Sequence, residues 1–255
     1  MNDHPERTVL ITGGSSGLGF EMARQMVAQH STVIICGRSQ EKLDKAHKRV
    51  SQLVPIRCDI SLPEEREALF NKISEQFQGL NMLMNNAGLA KRYLLAKTKD
   101  LELKLVSEWQ TNYLAPVLLT KQFLPLLIKN KGTVVNVTSG LAYVPLSIQP
   151  NYCATKAALH SMTQSMRMQL SELGITVVEI MYPAVDTAFH NGHTPKHAIQ
   201  PDKAAAIALR GLNRGKDEVR VKMAGFLFML HRLMPHKALN LINRFIPDNI
   251  EELLD

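Results

Sequence analysis

The chain has 255 residues, 45% of them hydrophobic and 21% charged, and 30 Lys+Arg against 23 Asp+Glu leave a net charge of +7. That balance suits a globular protein and excludes long disorder or a collagen-like chain. No apolar run nears the ~18 residues that cross a bilayer, and the polar start, with Asp3 and Glu6 before Arg7, predicts no signal peptide.

A first strand is expected over Thr8–Thr12 and a helix over Leu18–Gln29. Between them runs Thr12-Gly13-Gly14-Ser15-Ser16-Gly17-Leu18-Gly19. Glycines let a backbone turn sharply and approach a pyrophosphate, and the helix N-terminus offers free N–H groups to it. Gly13, Ser15, Ser16, Gly17, Leu18 and Gly19 are therefore candidate dinucleotide-binding residues, and their place between first strand and first helix makes the signal specific. A second strand, Thr32–Cys36, leads into Gly37-Arg38. An acid there would bond a ribose 2′-hydroxyl and select NAD, whereas a guanidinium forks onto a phosphate. Lys42 shares a face of the helix expected over Ser39–Val50, so the pair points to NADP(H). The plainer reading has Arg38 stacked on the adenine or facing water.

A third strand, Leu53–Cys58, ends at Asp59 and Ile60. Asp59 is a candidate acceptor for an adenine amino group and Ile60 a candidate ring contact. A lone Asp before the helix expected at Pro63–Gln76 also reads as a cap. The fourth strand, Met82–Asn85, runs into Asn86-Ala87-Gly88 at the carboxyl edge, where ligands of open α/β sheets sit. The basic stretch Lys91–Lys104 reads as a solvated surface, or else as an attractor of an anionic cofactor or acidic lipid headgroups. No nucleic-acid-binding module is present.

The long helix near Lys104–Leu127 contains Asn112-Tyr113-Leu114-Ala115-Pro116. Pro116 has no N–H, so the Asn112 carbonyl loses its helical partner and is open to an ordered water that could relay protons. Without further context this would be a tolerated kink. A fifth strand, Thr133–Val137, leads to Ser139, placed to steady a substrate oxygen or simply to make a turn. Tyr152 and Lys156 open a helix over Asn151–Leu173, four residues apart on one face. A free tyrosine titrates near about 10. A nearby ammonium, or an oxidised nicotinamide, is expected to lower that and make Tyr152 a proton donor in carbonyl reduction and acceptor in alcohol oxidation.

A sixth strand is expected over Thr176–Ile180 and a seventh over Glu218–Val221. Residues 223–255 read as a helical tail, two short amphipathic helices broken near Pro235. A subunit contact or pocket lid is one reading of it, and a greasy substrate entrance or peripheral membrane contact the other. His190, His193 and His197 lie in a loop broken by Pro195, with no carboxylate or cysteine to complete a site, so no metal is expected. Cys36, Cys58 and Cys153 form no CxxC pair and read as reduced packing thiols in a reducing cytoplasm. Strand–helix alternation, with near-continuous apolar strands such as Val33-Ile34-Ile35, predicts a single domain over 1–255 built on a doubly wound parallel α/β sheet.

Taken together, TGGSSGLG at Thr12–Gly19, NNAG at Asn85–Gly88, Asn112, Ser139 and the Tyr152/Lys156 pair stand in an order and spacing that resemble the short-chain dehydrogenase/reductase family over roughly residues 8–222. The resemblance implies a Rossmann-type sheet of about seven strands in order 3-2-1-4-5-6-7 and a catalytic tetrad of Asn112, Ser139, Tyr152 and Lys156. It implies that Lys156 also bonds the nicotinamide ribose and that Val185 and Thr187 hold the carboxamide. It further implies a homodimer or homotetramer built through the fourth and fifth helices. Where the family reads PGxVxT, this chain has Tyr182-Pro183-Ala184-Val185-Asp186-Thr187, with proline in place of a glycine. That variant and the tail resemble the DltE-like oxidoreductase subgroup. The expected activity is NADP(H)-dependent interconversion of a small-molecule carbonyl and a secondary alcohol, with a lipophilic substrate as one option. The competing expectation is a non-catalytic NADPH-sensing or membrane-docking protein.

Overall fold

A computed structural model describes residues 7–190, 192–244 and 246. Seven strands, β1 (Thr8–Thr12), β2 (Thr32–Gly37), β3 (Val54–Arg57), β4 (Met82–Asn85), β5 (Thr133–Ser139), β6 (Thr176–Tyr182) and β7 (Glu218–Arg220), form one parallel sheet in the order β3-β2-β1-β4-β5-β6-β7. Successive side chains of a strand face opposite sides, so a sheet covered on both faces needs apolar residues at every position. Val9, Ile11, Val33, Ile35, Val135, Val178 and Ile180 enter one core. Their strand neighbours Leu10, Ile34, Val134 and Val177 enter the other.

Helices α1 (Gly17–Val27), α2 (Gln40–Arg49) and α7 (Pro201–Asn213) cover the first face. Helices α3 (Pro63–Gln76), α5 (Ala115–Lys129) and α6 (Pro150–Ser171) cover the second. The single long helix expected near Lys104–Leu127 is instead α4 (Leu101–Trp109), a π-helical turn over Gln110–Leu114, and α5. Pro116 cannot complete the usual ladder, and the Ala115 N–H reaches back to the Gln110 carbonyl. The extra residue is taken up as a wide turn, a feature common at functional sites.

Strands β5 and β6 run further than expected because pairing continues through Thr138↔Met181 and Ser139↔Tyr182. Ser139 is therefore the last residue of a central strand. The basic stretch is solvated only in part: Lys97 and Lys99 are exposed, but Arg92 and Lys104 are buried. The tail divides at Pro235 into α8 (Met223–Leu233) and α9 (Pro235–Asn243). Phe245 and residues 247–255, the rest of the expected tail, lie outside the described residues. Among the described residues no helix is long and apolar enough to cross a membrane.

Candidate active site

The carboxyl ends of β1 to β6 share one edge of the sheet, and the glycine turn follows β1 there. Gly13 has a positive φ of 66°, and a Cβ on it would come within 2.9 Å of the Ala87 Cα. A Cβ on Gly19 would lie 2.3 Å from the Gly13 carbonyl oxygen and 2.4 Å from Asn86 Nδ2. The turn closes this tightly only with bare backbone. Thr12 Oγ1 accepts from the Asn86 and Ala87 N–H groups, and Asn86 Nδ2 donates to the Thr12 carbonyl at 2.9 Å. Asn86 thus braces the glycine turn from β4. Ser16, at the N-cap of α1, makes no side-chain cap, and the first turn carries no acid. The N–H groups of that turn suit a phosphate. By contrast Ser39 caps α2 through the Lys42 N–H.

The Ser15 hydroxyl packs against Gly37 at the end of β2. Arg38 and Lys42 are both exposed on that side. Leu18 packs partly into the core. Asp59 Oδ1 accepts from the Ser61 N–H at 3.0 Å and from Ser61 Oγ at 2.7 Å, forming a local turn ahead of α3. Ile60 is buried among the apolar residues of the second face, with its carbonyl held by Arg66. Thr187 comes against Gly17, and Val185 pairs with Ile199, so the loop after β6 folds back over the glycine turn. Tyr182, which stands where the family has proline, is buried in the first core with its hydroxyl on Met22 Sδ.

Asn112 is fully buried in the π turn. Its amide clamps Leu89 from both sides, donating to the Leu89 carbonyl and accepting from the Leu89 N–H at 2.8 Å each, and it donates to Thr155 Oγ1. Gly88 sits between Asn112 Oδ1 and Lys156 Nζ, which a Cβ there would meet at 3.5 and 3.7 Å. Lys156 is buried and donates to the Val137 carbonyl at 2.9 Å. Ser139 is buried; its hydroxyl accepts from the Leu141 N–H and lies near enough to the Tyr152 phenol to pull its pKa down. Asn112, Ser139, Tyr152 and Lys156 therefore converge.

Their electrostatics depart from expectation. Burial pushes the Tyr152 pKa well above the ordinary tyrosine value, and the Ser139 hydrogen bond only partly opposes it. The Lys156 ammonium, 5.8 Å from the Tyr152 ring centre, does not bring it down as the sequence led us to expect. Desolvation of the phenolate outweighs the attraction. Burial also lowers Lys156 from 10.5 to about 8, opposed by the charge of Glu179.

Four neighbours were not singled out from sequence. Glu108 of α4 is fully buried; it accepts from the Lys91 N–H and from Asn151 Nδ2, joining α4 to the start of α6. Thr155 supports Asn112. Phe189 lays its ring 5.8 Å from that of Tyr152. Glu179 is buried in β6. Its signal was one acid within an apolar strand run; Glu108 resembled an ordinary surface acid of a helix. Cys36, Cys58 and Cys153 are free and buried, and the Cys36 thiol is pushed up by Cys58 and by burial. Among the described residues no group of His, Cys, Asp or Glu is arranged to hold a metal.

Comparison with known proteins bears on the same region. The chain is 38% identical over 218 residues to the uncharacterised oxidoreductase DltE of Bacillus subtilis (strain 168), covering 83% of this chain and 86% of that one. It is 28% identical over 222 residues to an uncharacterised oxidoreductase of Staphylococcus aureus (strain USA300), covering 83% and 93%. Among solved structures, a short chain dehydrogenase from Burkholderia cenocepacia J2315 in complex with NADP superposes with a TM-score of 0.82 at 25% identity, over 93% of this chain and 98% of that one. A short-chain dehydrogenase from Sphingobium yanoikuyae in complex with NADPH shares the fold with a TM-score of 0.78 at 22% identity, over 95% and 99%. The family model described as short chain dehydrogenase matches residues 7–198, a stretch that runs from the first strand past Thr187 and takes in the whole buried centre. This chain is an oxidoreductase belonging to that family.

Proposed function

We propose that the protein is an NADP(H)-dependent oxidoreductase that interconverts a carbonyl and a secondary alcohol. The observation that carries this reading is the convergence of Ser139, Tyr152 and Lys156 at the sheet edge that also bears the glycine turn. The residues present fit a dinucleotide: a backbone turn that tolerates no Cβ, an uncapped helix start, and two exposed cations, Arg38 just after β2 and Lys42 in the first turn of α2. Gly13, Ser15, Ser16, Gly17, Leu18 and Gly19 would hold the pyrophosphate. Arg38 and Lys42 would meet the 2′-phosphate, Ala87 and Gly88 would border the ribose, and Val185 and Thr187 the nicotinamide. Asp59 and Ile60, engaged in a turn and in the core, would contribute through backbone position near the adenine. The NADP and NADPH in the two solved relatives support the choice of cofactor.

When bound, NADPH supplies the hydride. The protein's share is positioning and proton transfer. Ser139 steadies the substrate oxygen, and Tyr152 gives it a proton in reduction or takes one in oxidation. The raised pKa of Tyr152 keeps the phenol protonated, as carbonyl reduction requires. Lys156 anchors the nicotinamide ribose and keeps positive charge beside the phenol. Asn112 holds Leu89 and, through its backbone carbonyl, a water leading away from Lys156. Phe189 beside Tyr152, and Ala224 and Leu227 of α8 packed against Gly140 next to Ser139, put apolar side chains around the reacting centre, which supports a lipophilic substrate.

The test is absorbance decay of NADPH and of NADH against a panel of ketones and aldehydes of increasing chain length. Turnover is expected with NADPH, and Tyr152→Phe is expected to reduce it by about 100-fold or more. Tight NADPH binding without turnover on any compound would favour a nucleotide sensor, and full activity in Tyr152→Phe would remove the assigned proton role.

A further inference from the structure

β6 places a carboxylate where an apolar side chain is expected. Glu179 has zero exposure, in a strand whose neighbours Val178 and Ile180 are core residues. A buried acid is costly unless its oxygens are partnered. Both are: Thr138 Oγ1 donates to Oε1 at 2.5 Å, and His160 Nδ1 meets Oε2 at 2.8 Å. His160 stands one helical turn beyond Lys156 on α6, and Val137, whose carbonyl holds the Lys156 ammonium, precedes Thr138. Acid, histidine and lysine thus share one side of the sheet, joined through two adjacent residues of β5.

We propose that Glu179 is a positioning residue for the reaction: its buried carboxylate, fixed by Thr138 and His160, holds Lys156 in its charged form beneath Tyr152. This rests on the assignment of Lys156 under the proposed function. The physical requirement is specific. Among the described residues the Lys156 ammonium donates to the Val137 carbonyl alone, and it is shut off from water. Desolvation drives such a lysine toward the neutral amine, and a nearby negative charge opposes that. Glu179 is that charge.

The other groups facing the network are identifiable. From α6 come His160 and Arg167, the latter 3.6 Å from Glu218. From the turn after β5 comes Tyr143, its ring 5.1 Å from that of His160. From β7 come Glu218 and Arg220, which pair with each other. Arg167 and Arg220 both lie against Glu218, so Glu218 brings no uncompensated negative charge, and Glu179 is the acid whose removal Lys156 must register. His160 is held above its ordinary value chiefly by the Glu179 hydrogen bond and charge.

The deciding experiment is NMR titration of full-length protein labelled at lysine Cε, with Lys156→Met identifying the resonance. Glu179→Gln keeps the shape and removes the charge; it is expected to lower the Lys156 midpoint by about 1 pH unit or more. Glu179→Asp is expected to recover most of that shift. On any carbonyl found active, the alkaline limb of NADPH-driven reduction is expected to move down by a similar amount in Glu179→Gln. An amide in place of the acid that served only packing would change stability and amplitude but leave both midpoints where they are, and an unmoved Lys156 midpoint overturns the proposal. The NMR result needs no turnover, so it stands or falls separately from the carbonyl reaction, which the substrate panel decides. If Glu179→Gln does not fold, Thr138→Val, which loosens the carboxylate but keeps its charge, is expected to shift the same midpoint in the same direction by less; no shift there overturns the proposal too.

Discussion

Lys156 donates to the Val137 carbonyl in a site closed to solvent, and burial brings it from 10.5 to about 8. The sign of the stability effect follows from the depressed value. An unfolded lysine holds its proton up to its ordinary pKa, so the folded state is penalised for carrying a buried charge. The penalty is complete below pH 8 and fades as the pH rises toward 10.5. Its size is about 3 kcal/mol, from which the lost bond to Val137 removes about 1 kcal/mol. Lys156→Met is therefore expected to unfold at higher urea than the parent at pH ~7, by about 1–2 kcal/mol, and to lose turnover. The gain should shrink at pH ~9.5, and a gain that grew with pH would contradict the assignment. Stability surrendered at a reacting residue is a familiar trade. The same paired view explains what the sequence disclosed at this scale. Tyr152 and Lys156 were legible because four-residue spacing fixes a shared helix face. Glu179 and Glu108 were not, because a carboxylate reveals its role only through partners distant in the chain, Thr138 and His160 for one and Lys91 and Asn151 for the other.

At the scale of elements, strands were readable from runs of β-branched and apolar residues, and helices from the intervals between them. Their ends were less so: β5 and β6 gain residues from each other's pairing, which no single strand announces. The π turn is the clearest case. Pro116 signalled a broken ladder, but a kink and a widened turn are equal answers to a missing N–H until Asn112 is seen clamped on Leu89 and Thr155. Those bonds pin the side chain and leave the ladder to adjust. The glycine turn, by contrast, was legible because Gly19 has no alternative within 2.3 Å of the Gly13 carbonyl. Pro116→Ala restores an N–H that can take up the Asn112 carbonyl, the group assigned to the water relay. The expected result is a loss in kcat of about tenfold with KM for NADPH and melting temperature little changed, since the side-chain clamp remains. Stopped-flow and steady-state rates read the first, thermal unfolding the second. Unchanged kcat would mean that the carbonyl carries no relay.

Over the whole molecule, two exposed apolar rows stand out on a chain of net charge +7. One follows α4 and α5 through Leu103, Val106, Leu114 and Leu118, and the other follows α8 through Phe226, Met229 and Leu233. Large exposed apolar rows mark contacts with other molecules. The two rows differ in their surroundings. Acidic Glu102 accompanies the first row in the opening turn of α4. Around the second, residues 222–244 carry Lys222, Arg232, Lys237 and Arg244 and no acid. Two copies of one surface meet at a two-fold contact, so a face rich in one sign of charge is the poorer self-partner. The first row is thus the better subunit contact and the second the better candidate for a lipid surface or substrate entrance. On the proposal that copies of the chain associate through the first row, Leu103→Glu with Leu118→Glu is expected to lower the mass seen in analytical ultracentrifugation to that of a single chain while NADPH binding persists. Phe226→Ser with Met229→Ser and Leu233→Ser is expected to leave that mass unchanged and to raise KM for long-chain ketones more than for short ones. If the second set changed the mass and the first did not, the roles of the two rows would be exchanged.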